Sequence, residues 1–500
     1  MHNGAIANFL APDAVGAPSS LAIAIGGAAS NVRCQIGGGI ALRTTCPVTF
    51  SGAASGSVRC ALQSMDGTNS VFGPISVGPG GAGGIVQLMA MNAGSLFVVN
   101  SPVADLDPNS PYAGNFYLRG TTGAGQLYGT IYLPAANLIK NDVNGVWTIY
   151  STRNVAANTL VAQGLLRLGT NHALPNAPLV IGQVNTRAIL DLGGFEQQVT
   201  TLNDVASGGT PSTATTNTIA NSSTTSDSVL TLSGGGYYGG YLQDSISNGT
   251  RKVGLTLLSG AQQLTNLCTY SGPTSIRGGG LVLVGSGSIP NTATIDIASG
   301  AVLNVAYRAD ATFALGASQT LKGNGTFNIV GKLTSQGTIH LKLNKTGGTL
   351  ANDALASLLQ VTYGGTLKLE LGGDPLSAGD SFKLFSATNY DGAFTALTPA
   401  TPGAGLAWDV SKLTADGSLQ VVTSVATNPT NITTTVLAGG TQLQLAWPSD
   451  HTGWTLQTQT NSLSTGIGLT WFDVPGSTAT NAMILPIDRA NGSVCYRLRY

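Results

Sequence analysis

The feature that most constrains this chain is a segment that occurs twice with the same grammar. In Leu165 to Leu192, LLRLGTNHALPNAPLVIGQVNTRAILDL, an alternating apolar strand ends on glycine, an L-P-N turn follows, and two more short strands come after it. Tyr270 to Val305, YSGPTSIRGGGLVLVGSGSIPNTATIDIASGAVLNV, repeats the pattern. Leu174-Pro175-Asn176 maps onto Ile289-Pro290-Asn291 with an offset of 115, Gly169 onto Gly285 with 116, and Leu190-Asp191-Leu192 onto Leu303-Asn304-Val305 with 113. A loosely repeated unit of short strands and turns cannot bury its apolar face alone and does so by stacking on its neighbours. The expected fold is an all-β solenoid.

The acids point the same way. Of the 22 acidic residues, 20 are Asp and only Glu196 and Glu370 are Glu; Glu favours helices, whereas Asp favours turns. The chain has 68 glycines, about twice the usual share, with no collagen period. Glycine at this level supplies the positive-φ positions of many tight turns. The net charge is zero, so no long-range field gathers phosphate backbones or anionic lipid, and nucleic acid is not expected as a partner. No apolar run approaches the roughly 20 residues of a transmembrane helix. The opening MHNGAIANFLAPDAV has neither a basic n-region nor a continuous apolar h-region, so no signal peptide is read there.

Residues 1 to 345 read as the strand-repeat body, with copies near 159–192 and 270–305, and residues 346–423 as its closing part. Aromatics at Phe116, Tyr117, Tyr128 and Tyr132 fit packing between adjacent rungs better than a sugar-stacking face. The polar stretch Ala206 to Ser228 is compatible with either an excursion or an exposed strand. Gly234 to Tyr241 reads as a tight turn, and Asn352 to Leu359 is the one place where a short helix fits the residues. Val425 to Asn431 carries polar residues and a proline that cannot continue a core strand, which sets a linker at 424–431. Residues 432–500 then form a small, separate all-β module. The five cysteines, Cys34, Cys46, Cys60, Cys268 and Cys495, fit no zinc spacing. They read as small buried hydrophobes, with a disulfide between stacked rungs among Cys34, Cys46 and Cys60 as the alternative.

Tyr270-Ser271-Gly272, Thr274, Ile276 and Gly280-Leu281-Val282-Leu283 resemble the autotransporter-associated β-strand repeat, or passenger-associated transport repeat, of large bacterial surface proteins. Thr159-Leu160-Val161 through Leu166-Arg167-Leu168-Gly169 is similar to a more degenerate copy. Cys268 stands where such repeats carry a polar turn residue, and Gly280 where threonine is usual. The resemblance implies a right-handed parallel β-helix exported to the cell surface, with no catalytic residues. It implies partners in the cell envelope, a surface polysaccharide or further copies of the chain as in a filament. It also makes 352–359 strand and turn, gives Leu376 to Phe385, Asp391 to Phe394 and Gly405 to Trp408 the look of a closing segment, and likens 432–500 to fibronectin-like modules of β-sandwich type.

A polysaccharide-cleaving β-helix needs clustered carboxylates beside a basic residue. No Asp-Asp pair, G-H-G or R-x-K occurs. Asp191 and Asp296 lie between apolar neighbours and read as solvated residues on the outer side of a strand. His2, His172, His340 and His451 are scattered, and Gly52-Ala-Ala-Ser-Gly56 is out of register for a nucleophile elbow. No catalytic residue, metal site or cofactor is therefore expected, and the function expected is non-enzymatic. Carbohydrate binding or cleavage is the competing class, for which Trp447, Trp454 and Trp471 are the candidate contacts, although three tryptophans in so short a module more often form its core.

Overall fold

The computed structural model describes residues 6–9, 22–26, 31–51, 59–78, 84–183, 186–204, 217–462 and 464–500. The string Gly52 to Gly56 and residues 206–216 of the polar stretch lie outside the described residues. About 54% of the chain is strand and, among the described residues, there is no α-helix. The chain divides into two compact units. The first comprises Met1–Lys342, Asp353–Lys368 and Phe385–Thr395, and the second Leu343–Asn352, Leu369–Leu384 and Ala396–Tyr500.

The first unit is a parallel β-solenoid; the stack has about 14 turns. It is the right-handed β-helix that crossovers between parallel strands favour. Alternation of side chains dictates the stacking, since every second residue of each strand turns inward and meets its counterpart on the next rung. Val71, Val99, Leu127, Ile149 and Leu168 form one such inner column, at intervals of 28, 28, 22 and 19 residues. The strands keep register while the connections between them change length. The two sequence repeats share a grammar but not a wall: the first lays its strands on the nine- and thirteen-stranded sheets, the second on the eight- and ten-stranded ones.

One inner column sets a steric limit. Phe97, Gly125 and Trp147 lie on successive strands in direct register. The Trp147 indole fills the space a side chain at Gly125 would occupy, packs edge-on to Phe97 with ring centroids 6.0 Å apart, and donates Nε1–H to the Arg119 carbonyl at 2.8 Å. The outer aromatics also pair between rungs, with Tyr128 stacked on Tyr150 at 4.5 Å.

Three local expectations are corrected. Asn352 to Leu359 is not helical: Ala354–Tyr363 is a strand paired with Thr326–Ser335. Its helix-like Leu355–Leu358 spacing comes from an irregularity at Ser357, whose φ is 65°, so that both leucines still point inward. Gly234 to Tyr241 is not a single turn but a strand, Gly236–Tyr238, followed by another, Tyr241–Ser245, with Tyr238 fully buried. Asp191 is not solvated, as described below. The five cysteines are free thiols, four of them buried and Cys495 half-buried.

The second unit is antiparallel. Leu343 to Thr346 pairs with Thr349–Asn352 as a hairpin, and Ser418–Thr423 pairs with both Ser381–Lys383 and Leu406–Asp409. Beyond the linker, one three-stranded sheet joins Thr433–Leu437, Gln442–Ala446 and Ala482–Pro486, and another joins Phe472–Asp473, Thr455–Asn461 and Ser493–Arg499. Leu445, Trp447, Leu456 and Val474 form the core, a small β-sandwich-like arrangement.

Candidate functional site: an asparagine-lined groove

The carboxylates, which any hydrolytic chemistry would need, are largely engaged in structure. Asp66 accepts from Gly38 N–H at 2.6 Å, Asp142 from Gly120 at 3.0 Å, Asp204 from Gly239 at 2.8 Å, and Asp244 from both Val253 and Ser271 at 3.0 and 2.8 Å. Asp353 accepts from Gly325 and Lys342 at 2.7 and 2.9 Å. Most of these bonds join one rung to the next. The short Asp side chain holds its oxygens close to the backbone, where turn amides lack ladder partners. This explains the excess of Asp over Glu.

Asp191 is the most enclosed example. It faces outward by alternation, but the turns around Gly193 and Ser222 cover it, leaving it fully buried. Its Oδ1 accepts from both of those amides at 2.9 Å, and its Oδ2 meets Arg167 Nε, directly opposite on the neighbouring strand, at 2.6 Å. Asp191→Ala orphans two amides and an ion pair at once and is expected to cost about 3 kcal/mol. Asp191→Asn keeps an acceptor for the amides and is expected to lose about half as much. Thermal melting monitored by circular dichroism checks both; equal melting points for all three proteins would contradict the assignment.

A groove of about 690 Å³ lies on the outer wall. It begins from a long strand, Ile131–Lys140, whose pairing is interrupted between Leu133 and Asn137 around Pro134, a residue with no amide hydrogen to give the ladder. Past this point Asn137 sits between Asn115 and Asn158 in direct register. Asn137 Nδ2 donates to Asn115 Oδ1, and Asn158 Nδ2 to Asn137 Oδ1, each at 2.9 Å. Two residues further along these strands runs a second outer column. Tyr117, Ile139, Leu160 and Val180 follow one another and end at Asn203. The column continues back through Gln87 and Ala61 to Arg33. Gln183, Asp204 and Tyr237 complete the groove lining. A polar ladder therefore runs beside an apolar strip along the stacking direction.

At the end of the same strand Lys140 turns inward and is fully buried. Its Nζ donates to the carbonyls of Asn141, Asp142 and Gln163 at 3.2, 3.0 and 3.1 Å, and burial pushes the ammonium down to about 8. The three carbonyls give it a structural post at a corner.

The three tryptophans do not share a face. Trp447 is buried in the module core. Trp454 is buried too; its Nε1 donates to the Ala426 carbonyl at 2.7 Å, and its ring lies near His451 and Tyr500. Trp471 is half-buried under the Arg497 guanidinium, 4.3 Å from the ring centroid. Trp454 thus helps hold the linker. His451 does the same through Nε2, 2.8 Å from the Asn428 carbonyl, while Nδ1 lies 2.7 Å from Asp450 Oδ1. A carbonyl and a carboxylate only accept, so the doubly protonated, cationic ring is the form that satisfies both contacts. The Asn428 bond, then Asp450, raise its pKa above the usual 6.5. A raised value means these contacts are fully present below about pH 6.5 and fade as pH climbs through the folded-state pKa. The His451 imidazole resonances are expected to titrate above the free-imidazole midpoint, and Asp450→Asn to bring the midpoint down; an unshifted midpoint in the parent protein would contradict the doubly donating ring.

His172 stands at a turn with φ 54°, and His340 on a strand. Among the described residues, no group of three or more His, Cys, Asp or Glu side chains is placed to hold a metal ion. The groove was missed by reading motifs, although its signal was present: Asn115, Asn137 and Asn158 recur at 22 and 21 residues, one rung each. No protein-family model matches the chain, and no curated protein matches it in sequence.

Proposed function

We propose that this chain is a non-enzymatic structural and adhesive protein of the bacterial cell surface, of the passenger kind that its strand repeats resemble. The observation that carries this reading is the commitment of its carboxylates to backbone amides. A second supports it. The outer column Gln198, Thr231, Thr256 and Ser275 leads to a single acid, Asp296, flanked by Arg277 at 3.2 Å and Lys322 at 3.6 Å. Hydroxyls and amides on a regular wall suit many weak lateral contacts, whereas glycoside cleavage by acid and base requires two carboxylates about 5 to 9.5 Å apart across a bond. The solenoid supplies the stiff support and the wall supplies the contacts. Incubation with a panel of polysaccharides should release neither reducing ends nor unsaturated products, and protease treatment of intact producing cells should remove the protein. Catalytic turnover of any polysaccharide, or complete protection inside the cell, would defeat the reading.

A further inference from the structure

The geometry points to the Asn115–Asn137–Asn158 groove as a binding site for an extended, neutral, β-linked polysaccharide laid along the stack. This rests on the adhesive reading above and names a ligand for it. Each rung advances about 4.8 Å, close to the repeat of one sugar unit in an extended β-linked chain, so successive sugars meet successive asparagines. In the ladder Asn137 uses one N–H and one lone pair, Asn115 one lone pair and Asn158 one N–H, so each carboxamide has further donor and acceptor capacity for a ligand. Sugar hydroxyls both donate and accept, which is the pairing such a row can satisfy at every step. Tyr117, Ile139, Leu160 and Val180 form the adjoining apolar strip, against which the C–H face of a pyranose can lie. The lining carries one charge, Asp204, which is buried and tied to Gly239 N–H. A neutral polymer is therefore favoured over an acidic one. Within the groove the column from Tyr117 to Asn203 runs over five strands, which suits a chain better than a single small molecule.

The full-length protein should be retained by insoluble cellulose, xylan or mannan, and should bind the corresponding hexasaccharide in calorimetry. Asn137→Leu removes the centre of the ladder and should weaken binding at least tenfold. Val180→Arg, which obstructs the strip without touching the ladder, should do the same if Asn137→Leu fails to fold. Thr435→Leu, at an exposed strand position of the C-terminal module, should leave binding unchanged. Binding to none of the neutral polymers overturns the proposal, as does retention by acidic polysaccharides alone. So does self-association through this wall, seen as a concentration-dependent dimer in sedimentation that Val180→Arg abolishes. Neutral-glycan binding that both groove variants leave intact also overturns the groove assignment, yet leaves the adhesive reading standing. Failure of that reading shows separately, in the protease treatment of intact cells.

Discussion

Gly125→Val should collapse the middle of the solenoid. A Cβ at Gly125 would lie 2.3 Å from two ring carbons of Trp147, well inside any real contact. The indole cannot easily retreat, being fully buried and tied through Nε1 to the Arg119 carbonyl. Overpacking alone costs about 1–3 kcal/mol, and here the hydrogen bond is lost as well. Trp147→Ala opens the opposite defect, a cavity, at about 3–5 kcal/mol. Each rung is the floor of the next, so either change should spread beyond its own turn. The decisive measurement is the double variant. Valine at 125 can enter the space the indole vacates, so the pair should be less destabilised than the two single losses added together. Strict additivity in chemical denaturation would show that the two residues do not compete for one volume.

Alkaline unfolding is the second large effect. Burial pushes the thiols of Cys34 and Cys268 up to about 12 and that of Cys60 to about 11, and raises Cys46 as well. An unfolded cysteine loses its proton near 8.5. Groups with raised folded-state values stabilise fully below the unfolded value, and that stability is lost as pH rises through the folded value. Between about pH 8.5 and 10.5, Cys34 and Cys268 together should remove on the order of 5 kcal/mol, at about 1.4 kcal/mol per pH unit each. Lys140 opposes this. Its folded value of about 8 lies below that of a free lysine, so its penalty on folding is relieved as pH rises, by about 3 kcal/mol over the same range. Cys46 and Cys60 add to the losing side, so the balance favours unfolding. Thiolate absorbance near 240 nm should rise together with the loss of strand signal in circular dichroism. In a Cys495→Ser background, which removes the one half-buried thiol, thiolate appearing in a protein that keeps its strands would contradict the buried placement of these cysteines.

The solenoid was legible because strand alternation and turn residues are local properties, and both survive in a single sequence. What local reading misjudged had non-local causes. The spacing of Leu355 and Leu358 looks helical until the irregularity at Ser357, between the Asn328–Ala356 and Gly331–Leu358 pairs, is known. Asp191 occupies an outer position by alternation, as expected, but is buried by residues thirty positions away. The asparagine ladder was readable as a recurrence, yet only the register of the strands turns three separate residues into one row. Trp454 and His451 act on the linker through its carbonyls, which no side-chain motif reveals.

The unequal spacing of Val71, Val99, Leu127, Ile149 and Leu168 has an evolutionary consequence. A turn can shrink from 28 residues to 19 while its inward side chains stay opposite those above and below. Insertions and deletions in such a chain are absorbed at the flank, one coil at a time, without renegotiating the interior. Descendants of this molecule can therefore change the decorations they present to their surroundings quickly, while the spine that carries them is inherited almost unaltered.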